Sequence, residues 1–308
     1  MNHSTAKHEL AILLSTYNGS LYLRDFLDSL LAQTYCKFDL IVRDDLSSDN
    51  SLEILSLYSS KLNIIIIDYP RCNIGATKSF QTLIHHSSLY YAYFMLADQD
   101  DIWLPDKVLD FISYMSSCDL ITPSLYFCRF KIVSSSLSYM SLSRLPISIS
   151  FVNALSQNIV TGCSAGFNQP LSRLFCLTPI TSFILFHDWY LYLLASSLGI
   201  VHSDRSVNIC YRQHGRNVVG YRKPFFRQII YLFRYLSKFF SYDLPMHAML
   251  LSFKRYYSKF LKNKHLSFLN SMLGECSPCL SIKYRQNTFS SVFFCFLLFV
   301  RHIFFSKQ

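Results

Sequence analysis

The stretch LAILLSTYNGSLYLRDFLDSLLAQTYCKFDLIVRDD, residues 10–45, decides the fold. Its first seven residues, Leu10–Thr16, form an apolar run of strand length. Leu23, Phe26, Leu27, Leu30 and Leu31 then recur at the spacing of one helix face, and FDLIVR at 38–43 is a second apolar run. Working outward, the alternation repeats. A polar turn over 44–50 leads into an amphipathic stretch through Tyr58, with Asn50 and Glu53 spaced as a helix-start box. Leu62–Ile67 is nearly pure isoleucine, the composition of a strand buried on both faces. Asn73 and Gly75 mark a turn before a helix expected at Thr77–His86. Tyr91–Ala97 reads as a fourth strand, and Pro105 suits the first turn of the helix after it. The predicted class is α/β, a Rossmann-like doubly wound sheet.

The remainder is less regular. Residues 117–160 are Ser-rich and support no assignment. TGCSAGFN at 161–168 has the small residues of a loop or buried strand that needs close backbone approach. Phe183–Gly199 reads as a helix with His187-Asp188-Trp189 near its start, and Val201–Arg212 as a short strand leading into YRQHGRN. After Gly220 the composition shifts: Arg227, Arg234 and Lys238 sit among aromatic and aliphatic residues in Phe225–Phe240, and Phe289–Val300 is almost wholly apolar. Val292–Val300 is shorter than the ~20 residues a span needs. It reads as part of an interfacial helix in the headgroup layer, with a C-terminal core helix as the alternative. Two regions follow, 1–220 and a basic, aromatic, helical 221–308.

Composition supports a large core and excludes disorder: 51% of residues are hydrophobic and only 16% charged. The net charge of +10 is unevenly placed. Residues 1–204 hold 12 basic and 17 acidic side chains, whereas 205–308 hold 17 basic against Asp243 and Glu275 alone. Basic residues mixed with aromatics suit nucleic acid or an anionic leaflet. The apolar run at 292–300 favours the leaflet, because nucleic acid offers no hydrocarbon to bury it. Ten cysteines at irregular spacing, with no secretory signal before them, fit the cytosol, and Cys276-Ser277-Pro278-Cys279 alone is a weak zinc signal.

The chemistry is expected beyond the carboxyl ends of the strands. Ser15-Thr16-Tyr17-Asn18, Asp44-Asp45 and Asp98-Gln99-Asp100-Asp101 all fall there. Five carboxylates at one sheet edge repel one another unless a divalent cation sits among them, and Mg²⁺ is commonly shared between carboxylates and substrate phosphates. The sequence has no GxGxxG after the first strand and no GxxxxGK[ST], so a dinucleotide dehydrogenase or P-loop enzyme is not expected. Such a site suits a nucleotide diphosphate bridged by metal, and a metal-dependent nucleotidyltransferase or other phosphoryl enzyme would use the same aspartates.

ILLSTYNG, LLAQTY, DLIVRDDLSSDNS, NIGATKSF, LADQDDIWLPDKV, NIVTGCSAGFN, FHDWYLYLLAS and YRQHGRNVVG occur in this order between Leu10 and Gly220. As a set they resemble the family-2 inverting glycosyltransferases of GT-A fold, in particular the rhamnosyltransferase-like enzymes of bacterial O-antigen and capsule assembly. The resemblance implies a mixed GT-A sheet and a role for each motif. Thr16, Tyr17 and Asn18 match the first nucleotide-contacting loop, and one of Asp44 and Asp45 would contact the base. Asp98 and Asp100 match the DxD element, with Asp100 on Mg²⁺ or Mn²⁺ and Asp98 on ribose or metal. Asp188 matches the catalytic base, and it is the sole acidic residue between Asp119 and Asp204. His187 and Trp189 flank it on the substrate side, where Trp189 would stack on an acceptor sugar or pack in the core. Core packing is expected of Trp103. Arg212 and His214 match the polar loop covering diphosphate or metal. Leu46 stands where the family usually has Gly, which would alter the turn beside the base. Tyr190 replaces a common second Trp, which would alter acceptor fit. The implied partners are a nucleotide-diphosphate sugar, dTDP-rhamnose being the first to test, and an undecaprenyl-diphosphate-linked glycan. The implied location is the cytoplasmic face of the inner membrane, with the basic tail on anionic inner-leaflet lipids. No nucleic acid partner is expected.

Overall fold

The computed structural model describes residues 7–215, 245–277, 284–286, 294–295 and 297–298. The first half is a run of strand–helix units: β1 (Leu10–Thr16), α1 (Leu23–Leu31), β2 (Asp39–Asp44), α2 (Ser51–Tyr58), β3 (Ile64–Ile66), α3 (Ala76–Ser87), β4 (Tyr93–Asp98), β5 (Ile102–Trp103) and α4 (Lys107–Ser117). The second half supplies β6 (Ser124–Ser134), β7 (Tyr139–Leu142), α5 (Phe151–Ala154), β8 (Ala165–Asn168), α6 (Gln169–Phe175), α7 (His187–Leu198) and β9 (Ile200–Gln213). Two further helices are α8 (Pro245–Tyr257) and α9 (Asn263–Leu273).

One mixed sheet runs β3-β2-β1-β4-β8-β6-β9-β5, with β7 added beside β6. The β3-β2-β1-β4 half is parallel, and β8 enters antiparallel between β4 and β6. Alternation along β1 explains the two layers. Ala11 and Leu13 point into one core with α3 and α5 to α9, whereas Leu10, Ile12 and Leu14 point into another with α1, α2 and α4.

Several expectations need correction. The isoleucine run gives only three strand residues on the sheet edge, partly buried to exposed, because no further strand covers β3. Asn50 makes no side-chain cap; Asp49 accepts from the Ser51 amide and hydroxyl instead. The short strand at 201–212 is a 14-residue strand, β9, paired in parallel with β6 from the Ser-rich region. No helix of the described residues is long and apolar enough to cross a membrane. The stretches Phe225–Phe240 and Phe289–Val300 that carry the interfacial expectation lie wholly or largely outside the described residues, as does Cys279.

Candidate active site

The three polar strand ends share one edge. Thr16 pairs with Asp44 across β1–β2, and Ser15 with Asp98 across β1–β4. Gln99 knits the first and third together: its Oε1 accepts from Thr16 Oγ1 at 2.6 Å and from the Tyr17 amide at 3.0 Å, and its Nε2 donates to the Tyr17 carbonyl. Gly19 is required there, since a Cβ would overlap Gln99 Oε1 at 2.1 Å. The first two loops are tied through Asn18, whose amide donates to Ser47 Oγ and whose Oδ1 accepts from the Ser48 amide. Tyr17 and Leu46 stand exposed on these tied loops, Leu46 at φ 69°.

The two aspartates after β2 have different fates. Asp44 is partly buried and accepts only from the nearby Ser47 amide and hydroxyl among the described contacts. Asp45 is buried, with its carboxylate taken by Arg43 at 2.5 Å and by the Ile74 and Gly75 amides at 2.8 Å. It braces the 69–75 loop, and Asp44 is the one of the pair with an open side.

Beyond β4 the charges crowd. Burial, then the charges of Asp100 and Asp188, push the Asp98 carboxyl up to about 7. Asp101 is fully buried and pushed well above the carboxylate range by burial and by Asp98 and Asp100. Asp100 Oδ2 lies 2.8 Å from His214 Nε2, and the His214 ring stacks on Tyr22. Arg212 is 3% exposed and committed within the fold: its amide donates to Asp101 Oδ1, and its guanidinium to the Asp100 carbonyl, the Ser135 carbonyl and Asp25 Oδ2. Arg212 was expected in the loop covering diphosphate or metal, and its guanidinium is turned to the acidic turn and to α1. It holds the acidic turn in shape from behind.

Opposite stands α7. Asp188 lies in its first turn, with Oδ1 accepting from the Trp189 amide at 2.7 Å. Burial raises its carboxyl to about 6, against hydrogen bonds from Trp189, Asn158 and the Gly162 amide that lower it. The His187 ring stacks on Phe80 at 4.0 Å, and burial holds it neutral by lowering its pKa to about 3. Neither ring nitrogen has a hydrogen-bond partner among the described residues. The Trp189 indole is buried and donates to the Ala154 carbonyl at 2.7 Å, which is the core-packing alternative of the sequence reading. Tyr190 is fully buried, with its hydroxyl on Thr178, and does not shape an acceptor surface. Trp103 is in the core, as expected.

Carboxylates dominate the donor set of this turn, which is the chemistry of a hard divalent cation. Asp100 Oδ2 and His214 Nε2 share a hydrogen bond at 2.8 Å, and ligand atoms of Asp98, Asp101 and Cys163 lie within 4.8 Å of one another. Sequence reasoning passed over Arg43 and Lys107, polar side chains buried behind the site, and only packing shows which way each turns.

Comparison with known proteins adds the lineage. The model of "Glycosyl transferase family 2" matches residues 11–175, more than half of the chain. The chain belongs to glycosyl transferase family 2. It is 29% identical over 227 residues to the dTDP-rhamnosyl transferase RfbG of Shigella flexneri, covering 67% of this chain and 73% of that protein. It is 28% identical over 186 residues to the UDP-Glc:alpha-D-GlcNAc-diphosphoundecaprenol beta-1,3-glucosyltransferase WfgD of Escherichia coli, covering 60% and 68%. In fold it is similar to residues 1–349 of S. aureus TarS, with a TM-score of 0.58 at 15% identity over 87% of this chain and 70% of that one. The mixed sheet is accordingly the GT-A arrangement, and family membership favours sugar transfer over the nucleotidyltransferase alternative.

Proposed function

We propose that this glycosyltransferase inverts configuration in a single displacement, moving a sugar from a nucleotide-diphosphate donor to a hydroxyl of a lipid-linked glycan in surface-polysaccharide assembly. The observation that supports this reading is that Asp188, at the start of α7, and Asp98, at the end of β4, lie close enough for the charge of one to bear on the other. The names of the two relatives support the substrate classes: one is a dTDP-rhamnosyl transferase and the other acts on a diphosphoundecaprenol-linked acceptor. The proposed place is the cytoplasmic face of the inner membrane, with the 221–308 region on anionic lipids, a reading carried by the basic and aromatic composition of that region.

In this reading Thr16, Tyr17, Asn18 and Asp44 receive the nucleoside, and His187 offers an uncommitted imidazole nitrogen to the substrates. Asp188 Oδ takes the proton of the acceptor hydroxyl as its oxygen bonds to the anomeric carbon. The bond from that carbon to the diphosphate breaks on the opposite face, and nucleoside diphosphate leaves. Asp100 and His214, with Asp98 beside them, would hold Mg²⁺ or Mn²⁺, which when bound neutralises charge on the diphosphate.

Asp188→Asn should abolish transfer while nucleoside diphosphate binding, followed calorimetrically, is retained. Turnover at the unsubstituted rate would remove Asp188 as the base. Asp100→Ala should lose the gain in dTDP or UDP affinity that Mn²⁺ confers; unchanged affinity would remove Asp100 as a ligand.

A further inference from the structure

Lys107 opens α4 behind the acidic turn and is 1% exposed. Its Nζ donates to the Cys163 carbonyl at 2.6 Å and stands 3.1 Å from the Trp103 ring centroid. Carboxylate oxygens of Asp98 and Asp101 and the Cys163 sulfur all lie within 4.8 Å of one another on the same side. An ammonium survives so deep only where anions and carbonyls replace its water. The charge of Lys107 bears on this inner cluster, at Asp98 and at Cys163.

The carbonyl that Lys107 grips belongs to the 162–164 turn, which enters β8. The same turn touches α7 from its other side. The Gly162 amide donates to Asp188, and a Cβ on Gly162 would stand 3.1 Å from His187 Nε2 and 3.8 Å from Asp188 Oδ2. A continuous path therefore runs from the acidic turn after β4, through Lys107 and the 162–164 backbone, to Asp188. We propose that Lys107 is a positioning residue for sugar transfer: by pinning the 162–164 turn it fixes where Asp188 faces the β4 carboxylates. Lys107 itself touches no substrate. The inference rests on Asp188 being the base, and the test separates the two.

The test compares Lys107→Met, which removes the donor and the charge, with Lys107→Gln, which keeps a donor for the carbonyl. Turnover is read as nucleoside diphosphate released from dTDP-rhamnose or UDP-glucose, and binding as the affinity for dTDP and UDP with Mn²⁺. The expected result is a kcat at least tenfold lower in Lys107→Met, with nucleotide affinity within twofold of the unsubstituted protein and partial recovery in Lys107→Gln. Unchanged kcat, or kcat and nucleotide affinity falling together, would overturn the proposal. If Lys107→Met does not fold, Lys107→Gln against the unsubstituted protein decides by the same split. Full turnover in Asp188→Asn would instead identify the base assignment as the failing step.

Discussion

As the proposed base, Asp188 would set the pH at which transfer runs: it would act only when ionised, and burial moves its pKa from the usual value of 3.8 to about 6. The rate should therefore fall about tenfold per pH unit below that value, with the break near 6 in a kcat profile. A break near 4 would contradict the burial. The same shift has a stability sign. A raised folded-state pKa means that folding favours the protonated form, so stability present below pH 4 is lost as pH rises through 6. Asp188→Asn cannot ionise and should melt higher than the unsubstituted protein at pH 7.5, an advantage that vanishes below pH 4. At Trp189 the prediction is structural. Trp189→Phe orphans the Ala154 carbonyl and should cost about 1–3 kcal/mol in denaturant unfolding, with acceptor KM unchanged. The place of Asp98 and Asp100 at the end of a strand was legible in the sequence from the apolar run before them, whereas Asp188 was singled out by the family resemblance of its motif. Trp189 and Arg212 were not, because residue type does not reveal which way a side chain turns from its helix or strand.

The loop after β2 shows how an element is held for binding. Arg43 is 1% exposed, and its guanidinium reaches Asp45, Ser79 and the carbonyls of Pro70 and Cys72. Asp45 answers with the Ile74 and Gly75 amides, so one buried ion pair joins β2, the 69–75 loop and the start of α3. Breaking one side of such a pair costs about 3–5 kcal/mol, because the other charge is left stranded. Asp45→Ala should lose amide-exchange protection across 72–75 and weaken nucleotide binding through the displaced loop. Protection equal to the unsubstituted protein would show that the loop is held elsewhere. The parallel β1-α1-β2 unit was legible because helix and strand periods differ so clearly. The edge position of β3 was hidden, since an isoleucine run has the same composition whether one neighbour covers it or two. β6 was missed because its apolar residues are interrupted by Arg129 and Lys131 and surrounded by serines.

Composition divides the chain near residue 220, yet packing crosses that line. Met249, Leu250, Phe253 and Tyr257 of α8 join the core formed by α3, α5, α6 and α7, and the Tyr257 hydroxyl meets Thr178 at 2.8 Å and the Leu174 carbonyl at 2.6 Å. Thr178 also meets Tyr190 on α7, one residue after Trp189 and two after Asp188. The basic charge read from the sequence concerns what the surface meets. The apolar face of α8 concerns what the interior needs, and the two need not change at the same residue. The consequence is cooperative unfolding. Phe253 is fully buried, and Phe253→Ala should cost about 3–5 kcal/mol through lost burial and the cavity left behind. If α8 is part of the catalytic core, calorimetry should show the sheet and the helix melting in one transition that moves down as a whole in the variant. A first transition that shifts while a second stays fixed would mean that α8 folds apart from the sheet, and α7 would then be held by α3, α5 and α6 alone.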